Sequence, residues 1–202
     1  DYDHIRLPDE RTWLREAAES RRFRPPQEPL DPLWLLELLT RVEAFEHFLH
    51  RVFPGKTRFS AEGLDMMVPM LDVMLGEAAE AGIYTILIGM AHRGRLNVLA
   101  HILNKPYDEL LKEFRDTAGE DHPVREYLGW TGDVKYHAGA SRELTNGNPI
   151  DLVVTMAPNP SHLEHVNPVI AGMARAAGTR ADRPGRPHYD AQVVLPVIIH
   201  GD

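Results

Sequence analysis

The sequence predicts an α/β fold, a mostly parallel sheet flanked by helices with an N-terminal helical arm. Three observations predict it. The runs Tyr84–Gly89, Asp151–Met156 and Gln192–Ile199 have strand length and β-forming composition. Each is apolar on both faces, as buried parallel strands are. Helix-period apolar patterns separate the runs, and strand–helix–strand alternation of this kind argues a parallel sheet between helical layers.

Each element has its own signal. The first 24 residues are polar and Arg-rich, with one short helix expected over Pro8–Ser20. Pro25, Pro26, Pro29 and Pro32 then favour an extended linker. From Leu33 to Arg51, Leu35, Leu36, Leu39, Val42, Phe45, Phe48 and Leu49 recur at helical spacing. After the turn Phe53–Lys56, Ser60 is placed to cap a helix continuing through Met66, Met70 and Leu75, with Pro69 as a kink. The first strand leads through Met90–Gly94 into a helix over Leu96–Leu103, and Tyr107–Phe114 forms another. Residues 115–150 read as loop. After the second strand, Ala157-Pro-Asn-Pro160 breaks the chain and Ser161 is expected to cap a helix through Leu163, Val166, Ile170 and Met173. Gly178–His188 is a loop before the third strand.

Composition bounds the function. The 202 residues carry 30 acidic and 22 basic side chains, a net charge of −8, which argues against a nucleic-acid surface. With no cysteine there is no disulfide, thiol nucleophile or thiolate metal site. No apolar run approaches the roughly 18–20 residues of a membrane span, and the first residues do not resemble a signal peptide. The chain stops at His200-Gly201-Asp202, directly after an apolar strand with nothing to cover it. The expectation is a piece of a larger protein.

In such sheets ligands bind outside the carboxyl ends of the strands. Three segments fall there: Gly89–Gly94, Ala157–Leu163 and His200–Asp202. His92 and Arg93 set an imidazole and a cation where a helix begins, suiting an anionic ligand. The competing reading is a surface loop with solvated arginines. Ser161 at a helix start suits a phosphate or carboxylate, but with Glu164 it also reads as a capping box that needs no ligand. His162, Glu164 and His165 lack one residue of the His-x-x-Glu-His zinc spacing, and no third ligand is evident. Asp202, at the end of a parallel strand, could hold Mg²⁺ beside a diphosphate. His137, in Gly132-Asp-Val-Lys-Tyr-His137, could position a proton or simply be exposed.

Several segments together resemble a known family. Phe59-Ser-Ala-Glu-Gly63, Gly89-Met-Ala-His-Arg-Gly-Arg-Leu-Asn-Val-Leu99, Gly132–His137, Asn159-Pro-Ser-His-Leu-Glu164, Val166-Asn-Pro-Val169 and His200-Gly-Asp202 are similar to the E1 component of 2-oxoglutarate dehydrogenase. The blocks occur in the family's order from about Leu33 onward, and residues 1–24 resemble the arm that precedes them. The resemblance implies a partial thiamin diphosphate-binding fold: an arm and linker over 1–32, then the first part of the catalytic domain over 33–202, truncated at the Gly-Asp motif.

It also implies thiamin diphosphate and Mg²⁺ as cofactors, a homodimer, and oxidative decarboxylation of 2-oxoglutarate in the tricarboxylic acid cycle. The succinyl unit would pass to the lipoyl domain of the E2 succinyltransferase, with E3 completing the complex. Carried over by position, His92 and His137 are the expected catalytic residues. Arg93, His137 and Ser161 would contact substrate; Arg93, Ser161 and Leu163 would contact cofactor; Asp202 would bind the metal. His165 departs from the family pattern and reads as structural. An isolated piece ending at Asp202 is expected to be inactive. The alternatives are a 2-oxoadipate dehydrogenase E1 and a non-catalytic assembly remnant. Arg outnumbers Lys 18 to 4, which suggests a GC-rich genome and a bacterial cytoplasm, or a mitochondrial matrix in a eukaryote. No nucleic acid or membrane partner is expected.

Overall fold

Tyr84 to Ile199 contributes four strands to one sheet, three of them parallel, in a computed structural model that describes residues 2–22, 30–112, 114, 134–144, 152–159, 163–182 and 184–200. The chain divides into two compact units, Asp1–Leu35 and Leu36–Asp202.

In the first unit, α1 spans Pro8–Glu19, as expected from the sequence. Pro8 opens it where no amide donor is needed, and Asp9 and Glu10 sit favourably in the first turn. Arg22 lies 6.0 Å from the Trp13 ring centre.

The long helix α2 spans Pro32–Val52 and buries Val42, Phe45, Glu46 and Leu49, a stripe at helical spacing. Helix α3 (Met67–Glu80) starts later than Ser60 implied. Gly63, at φ +81°, breaks any helix there, and the Ser60 hydroxyl instead accepts the Glu62 N–H at 3.1 Å in a local turn. Pro69 therefore falls in the first turn of α3, where it is tolerated without a kink.

Strand β1 (Thr85–Met90) is the centre of the sheet. The short helix α4 (Arg95–Asn97) follows and continues as a π-helical turn, Val98–Ile102. Helices α5 (Tyr107–Lys112) and α6 (Val134–His137) come next. Strand β2 (Ala140–Leu144) lies within a stretch read as loop. Its polar alternation suits an edge, and it pairs antiparallel with β3 (Leu152–Met156). Helix α7 (Val166–Ala177) starts after a turn in which Glu164 takes φ 68°, with His165 at its cap position. The expected start at Ser161 is thus displaced. A small hairpin, β4 (Thr179–Arg180) with β5 (His188–Tyr189), precedes β6 (Val194–Ile199).

The order β2-β3-β1-β6 places β1 between two parallel partners. One face of β1, Ile86, Ile88 and Met90, joins the core formed with α2, α3 and the α4 turn. Leu87 on the other face packs with Val166, Ile170 and Ala174 of α7. Gly89 lets α7 approach, since a Cβ there would lie 2.4 Å from Ile170 Cγ1. Both faces of β1 are therefore covered, as its apolar run predicted, whereas Pro196 and Ile198 of the edge strand β6 stay exposed. Among the described residues no helix is long and apolar enough to cross a membrane.

Candidate functional site

The carboxyl ends of β1 and β6 open on a cleft of about 250 Å³. His92 and Arg93 line it after β1, Ile199 and His200 at the end of β6, and Leu163, Glu164, Val166 and Asn167 at the start of α7. Phe59 closes one wall. All three segments singled out in the sequence thus contribute to one cavity.

Gly94 shapes the turn that carries His92 and Arg93. It adopts φ 74°, and a Cβ would lie 2.5 Å from Met67 Cε. Phe59 is tied down from both sides: its N–H donates to the Tyr136 hydroxyl at 3.2 Å, and its carbonyl accepts the Gly94 N–H at 2.9 Å. The ring stacks on His92 with centroids 4.8 Å apart and meets Tyr136 edge-on at 4.9 Å. Arg93 is exposed at the cleft, its guanidinium donating to the Glu62 carbonyl at 2.8 Å. Such an anchor aims the cation while leaving further donors of the fork for a ligand.

His137, at the end of α6, stands edge-on to His92 with ring centroids 5.1 Å apart. Its Nδ1 lies 2.6 Å from the Asn159 carbonyl, and the Asn159 N–H donates back to the His137 carbonyl at 2.9 Å. A carbonyl can only accept, so Nδ1 carries the proton and, in the neutral ring, Nε2 presents a lone pair. Gly139 permits this closeness: a Cβ there would meet the Met156 carbonyl oxygen at 2.7 Å and Pro158 N at 3.1 Å. The Asn159 side chain is 96% buried, and neither amide atom has a hydrogen-bond partner among the described residues.

Of the expected site residues, His92, Arg93 and Leu163 share the cleft, and His137 stands against His92. Leu163 is 64% exposed in the turn before α7, available for apolar contact. Ser161 and Asp202 lie outside the described residues, as does His162 of the zinc spacing. Glu164 faces His200, whose Nδ1 is 3.7 Å from its carboxylate. His165 is exposed.

Arg95 follows the Gly89–Gly94 turn, and the alternative of solvated arginines does not describe it. Arg95 is wholly buried and donates to three main-chain carbonyls. Burial lowers its pKa to about 10, which still leaves it cationic at neutral pH. A partial signal was present: six of the eight residues over Leu96–Leu103 are apolar, which leaves the helix that Arg95 opens little solvent face.

An α/β layer with an imidazole pair and a guanidinium at its strand ends is the class that fold and site define. Compared with curated proteins, the chain is 47% identical over 203 residues to the 2-oxoglutarate dehydrogenase E1 component of Bacillus mycoides (strain KBAB4), covering 100% of the chain and 21% of that relative. It is 46% identical over 202 residues to the E1 components of Bacillus cereus strains G9842 and AH187, with the same coverage. The chain spans about a fifth of the length of these curated relatives. The resemblance drawn from the ordered blocks therefore holds: the chain is homologous to one segment of 2-oxoglutarate dehydrogenase E1 components. No protein-family model matches it.

Proposed function

We propose that the chain forms part of the substrate and cofactor site of a thiamin diphosphate-dependent 2-oxo acid dehydrogenase that acts on 2-oxoglutarate. One observation carries the reading: His92, Arg93 and Leu163 line a single cleft at the carboxyl ends of parallel strands, with His137 against His92, in a chain 47% identical to an E1 component. At about 250 Å³ the cleft is below the ~300–1,000 Å³ of drug-sized ligand sites and suits a small dicarboxylate.

Arg93 holds a carboxylate of the acid or a phosphate of the cofactor through its free donors. His92, fixed by the Phe59 ring, hydrogen-bonds the oxygen of the reacting keto group. His137 offers its Nε2 lone pair to a proton shared with the substrate. Ser161 supplies a polar contact and Leu163 an apolar one. The unpartnered, buried Asn159 amide and the cationic strand ends fit a phosphorylated heterocycle at this edge of the sheet. When bound, thiamin diphosphate supplies the nucleophilic carbon and the electron sink for loss of carbon dioxide. Mg²⁺ would rest on Asp202, and among the described residues no three His, Asp or Glu side chains converge on a point.

On this reading the protein works in the bacterial cytoplasm as a homodimer within a complex that holds an E2 lipoyl domain and E3. The test exchanges this chain for the matching segment of the Bacillus mycoides E1 component and assays 2-oxoglutarate, 2-oxoadipate and pyruvate. Decarboxylation is expected to be fastest with 2-oxoglutarate, and lost when His92 or His137 becomes Ala in the exchanged segment. A folded chimaera that prefers 2-oxoadipate or pyruvate overturns the substrate, and one active without both histidines overturns the site. The chain alone is expected to turn over none of the three acids, but to show 2-oxoglutarate-dependent shifts of the His92 and His137 ring resonances.

A further inference from the structure

Arg95 has no role in the reading above, yet its guanidinium joins the three segments that carry the site. One terminal nitrogen donates to the Met90 carbonyl at 2.9 Å, two residues before His92. The other donates to the carbonyls of Ala138 and Ala157, each at 2.8 Å. Ala138 follows His137, and Ala157 stands two residues before Asn159, whose backbone brackets His137. Among the described residues no carboxylate pairs with Arg95. A fold needing only satisfied carbonyls could use a neutral amide or water and avoid the cost of a buried cation. A planar fork with donors on two nitrogens does more, because it fixes three chain segments at set distances from one rigid group.

We infer that Arg95 is a positioning residue of this site: by clasping Met90, Ala138 and Ala157 it sets His137 against His92 and holds His137 in its Nδ1–H form. Its bearing on catalysis rests on the proposed 2-oxo acid site, whereas the geometry it enforces does not. A lysine retains the charge but gathers its donors on one tetrahedral nitrogen, which cannot hold all three carbonyls in place. The Ala138–Gly139 segment then relaxes from the end of β3, and the reciprocal bonds between His137 and Asn159 loosen.

The test uses the chain labelled with ¹⁵N, as wild type, Arg95→Lys, Arg95→Gln and Arg142→Lys. Arg142 is a useful control because it too donates to a main-chain carbonyl, that of Ile102 at 2.7 Å. Long-range proton–nitrogen spectra read the His137 tautomer, amide exchange reads the Asn159 N–H, and circular dichroism reads the fold. Wild type is expected to show Nδ1–H alone. Arg95→Lys is expected to stay folded, show both tautomers, and exchange the Asn159 amide about fivefold to tenfold faster, the effect of one weakened hydrogen bond. Arg142→Lys is expected to lose stability with His137 unchanged. The inference is overturned if Arg95→Lys leaves the tautomer and the Asn159 exchange as in wild type. It is also overturned if Arg142→Lys changes them equally, or if both Arg95 variants unfold, which would make Arg95 a requirement of the fold. Failure of the 2-oxo acid reading shows separately, as wild-type histidine resonances that 2-oxoglutarate does not move.

Discussion

Two buried polar knots, two residues apart in sequence at Arg95 and Asn97, are built on opposite electrostatic plans. The first centres on Glu46 of α2. One carboxylate oxygen accepts from Ala61 N–H at 2.9 Å and from the Asn97 amide at 2.7 Å, and the other accepts from Arg58 at 3.0 Å. The second centres on Arg95, whose cation is met among the described residues by carbonyl dipoles alone. In the Glu46 knot, charges of opposite sign cancel, and the knot ties a helix to a loop and to α4. The Arg95 knot keeps its positive charge at the carboxyl ends of the strands, two residues from Asn159 along the chain at Ala157. A neutralised knot serves the fold, while an uncancelled one prepares a place for an anion.

The strongest way to break this contrast is Glu46→Ala. It leaves Arg58, the Asn97 amide and the Ala61 N–H without their acceptor, a loss of about 3–5 kcal/mol. Urea denaturation measures it, and 2-oxoglutarate binding per folded molecule is expected to stay unchanged. The reverse result is expected for His92→Ala and His137→Ala. Both residues are only half-buried, so stability should change little. Affinity for 2-oxoglutarate should fall roughly 10–100-fold, as expected for a lost hydrogen bond to a charged ligand. Calorimetric titration reads this directly. If Glu46→Ala weakened binding as much as His137→Ala does, the two knots would be one system.

The same contrast explains what the amino-acid sequence revealed. The apolar runs of β1 and β3, and the stripe of α2, follow burial and were legible as continuous apolar and helical patterns, while the equally apolar run of β6 proves half exposed. Strand β2 was not legible, because Ala140-Ser-Arg-Glu-Leu144 is an edge whose alternation is mostly polar. The start of α3 was misplaced because Ser60 has a capping residue's chemistry, and only the φ of Gly63 shows that the chain turns there instead. At the site, His92 and Arg93 could be identified from their place after a strand. Arg95, two residues on, has the residue type of a solvated arginine, and only the mostly apolar helix it opens points to its burial. The tie between His137 and Asn159 joins residues 22 apart and has no local signature.

Glycine substitutions sharpen the comparison at smaller cost. Gly139→Ala sets a Cβ 2.7 Å from a backbone oxygen, which cannot move aside like a flexible side chain. The expected loss is about 1–3 kcal/mol in thermal or urea unfolding, with weaker 2-oxoglutarate binding because His137 shifts. Gly172, within α7, has no atom within 4 Å of an added Cβ. Gly172→Ala should gain roughly 0.5–1 kcal/mol by reducing the unfolded chain's freedom and leave binding alone. Equal effects at both positions would mean that the close approach of residue 139 to β3 is not what holds His137.

The smallest expected effect concerns a half-buried polar group, His101, which is neither cancelled like Glu46 nor clasped like Arg95. It meets Phe45 edge-on at 6.0 Å and Tyr107 at 6.1 Å, and its Nε2 has no hydrogen-bond partner among the described residues. Burial, and then the charge of Arg41, lower its pKa to about 4 from the ordinary 6.5. The folded state thus favours the neutral ring, while the unfolded chain binds a proton below about pH 6.5. Stability from this group is therefore whole above that value, declines as pH falls, and is gone below about 4. Allowing for solvent screening of a partly exposed ring, the decline is on the order of 1–2 kcal/mol. Urea midpoints at pH 7 and pH 4.5 should separate more for wild type than for His101→Leu, which has no proton to bind. Equal separations would place the acid sensitivity elsewhere, with the carboxylate of the Glu46 knot the first group to test.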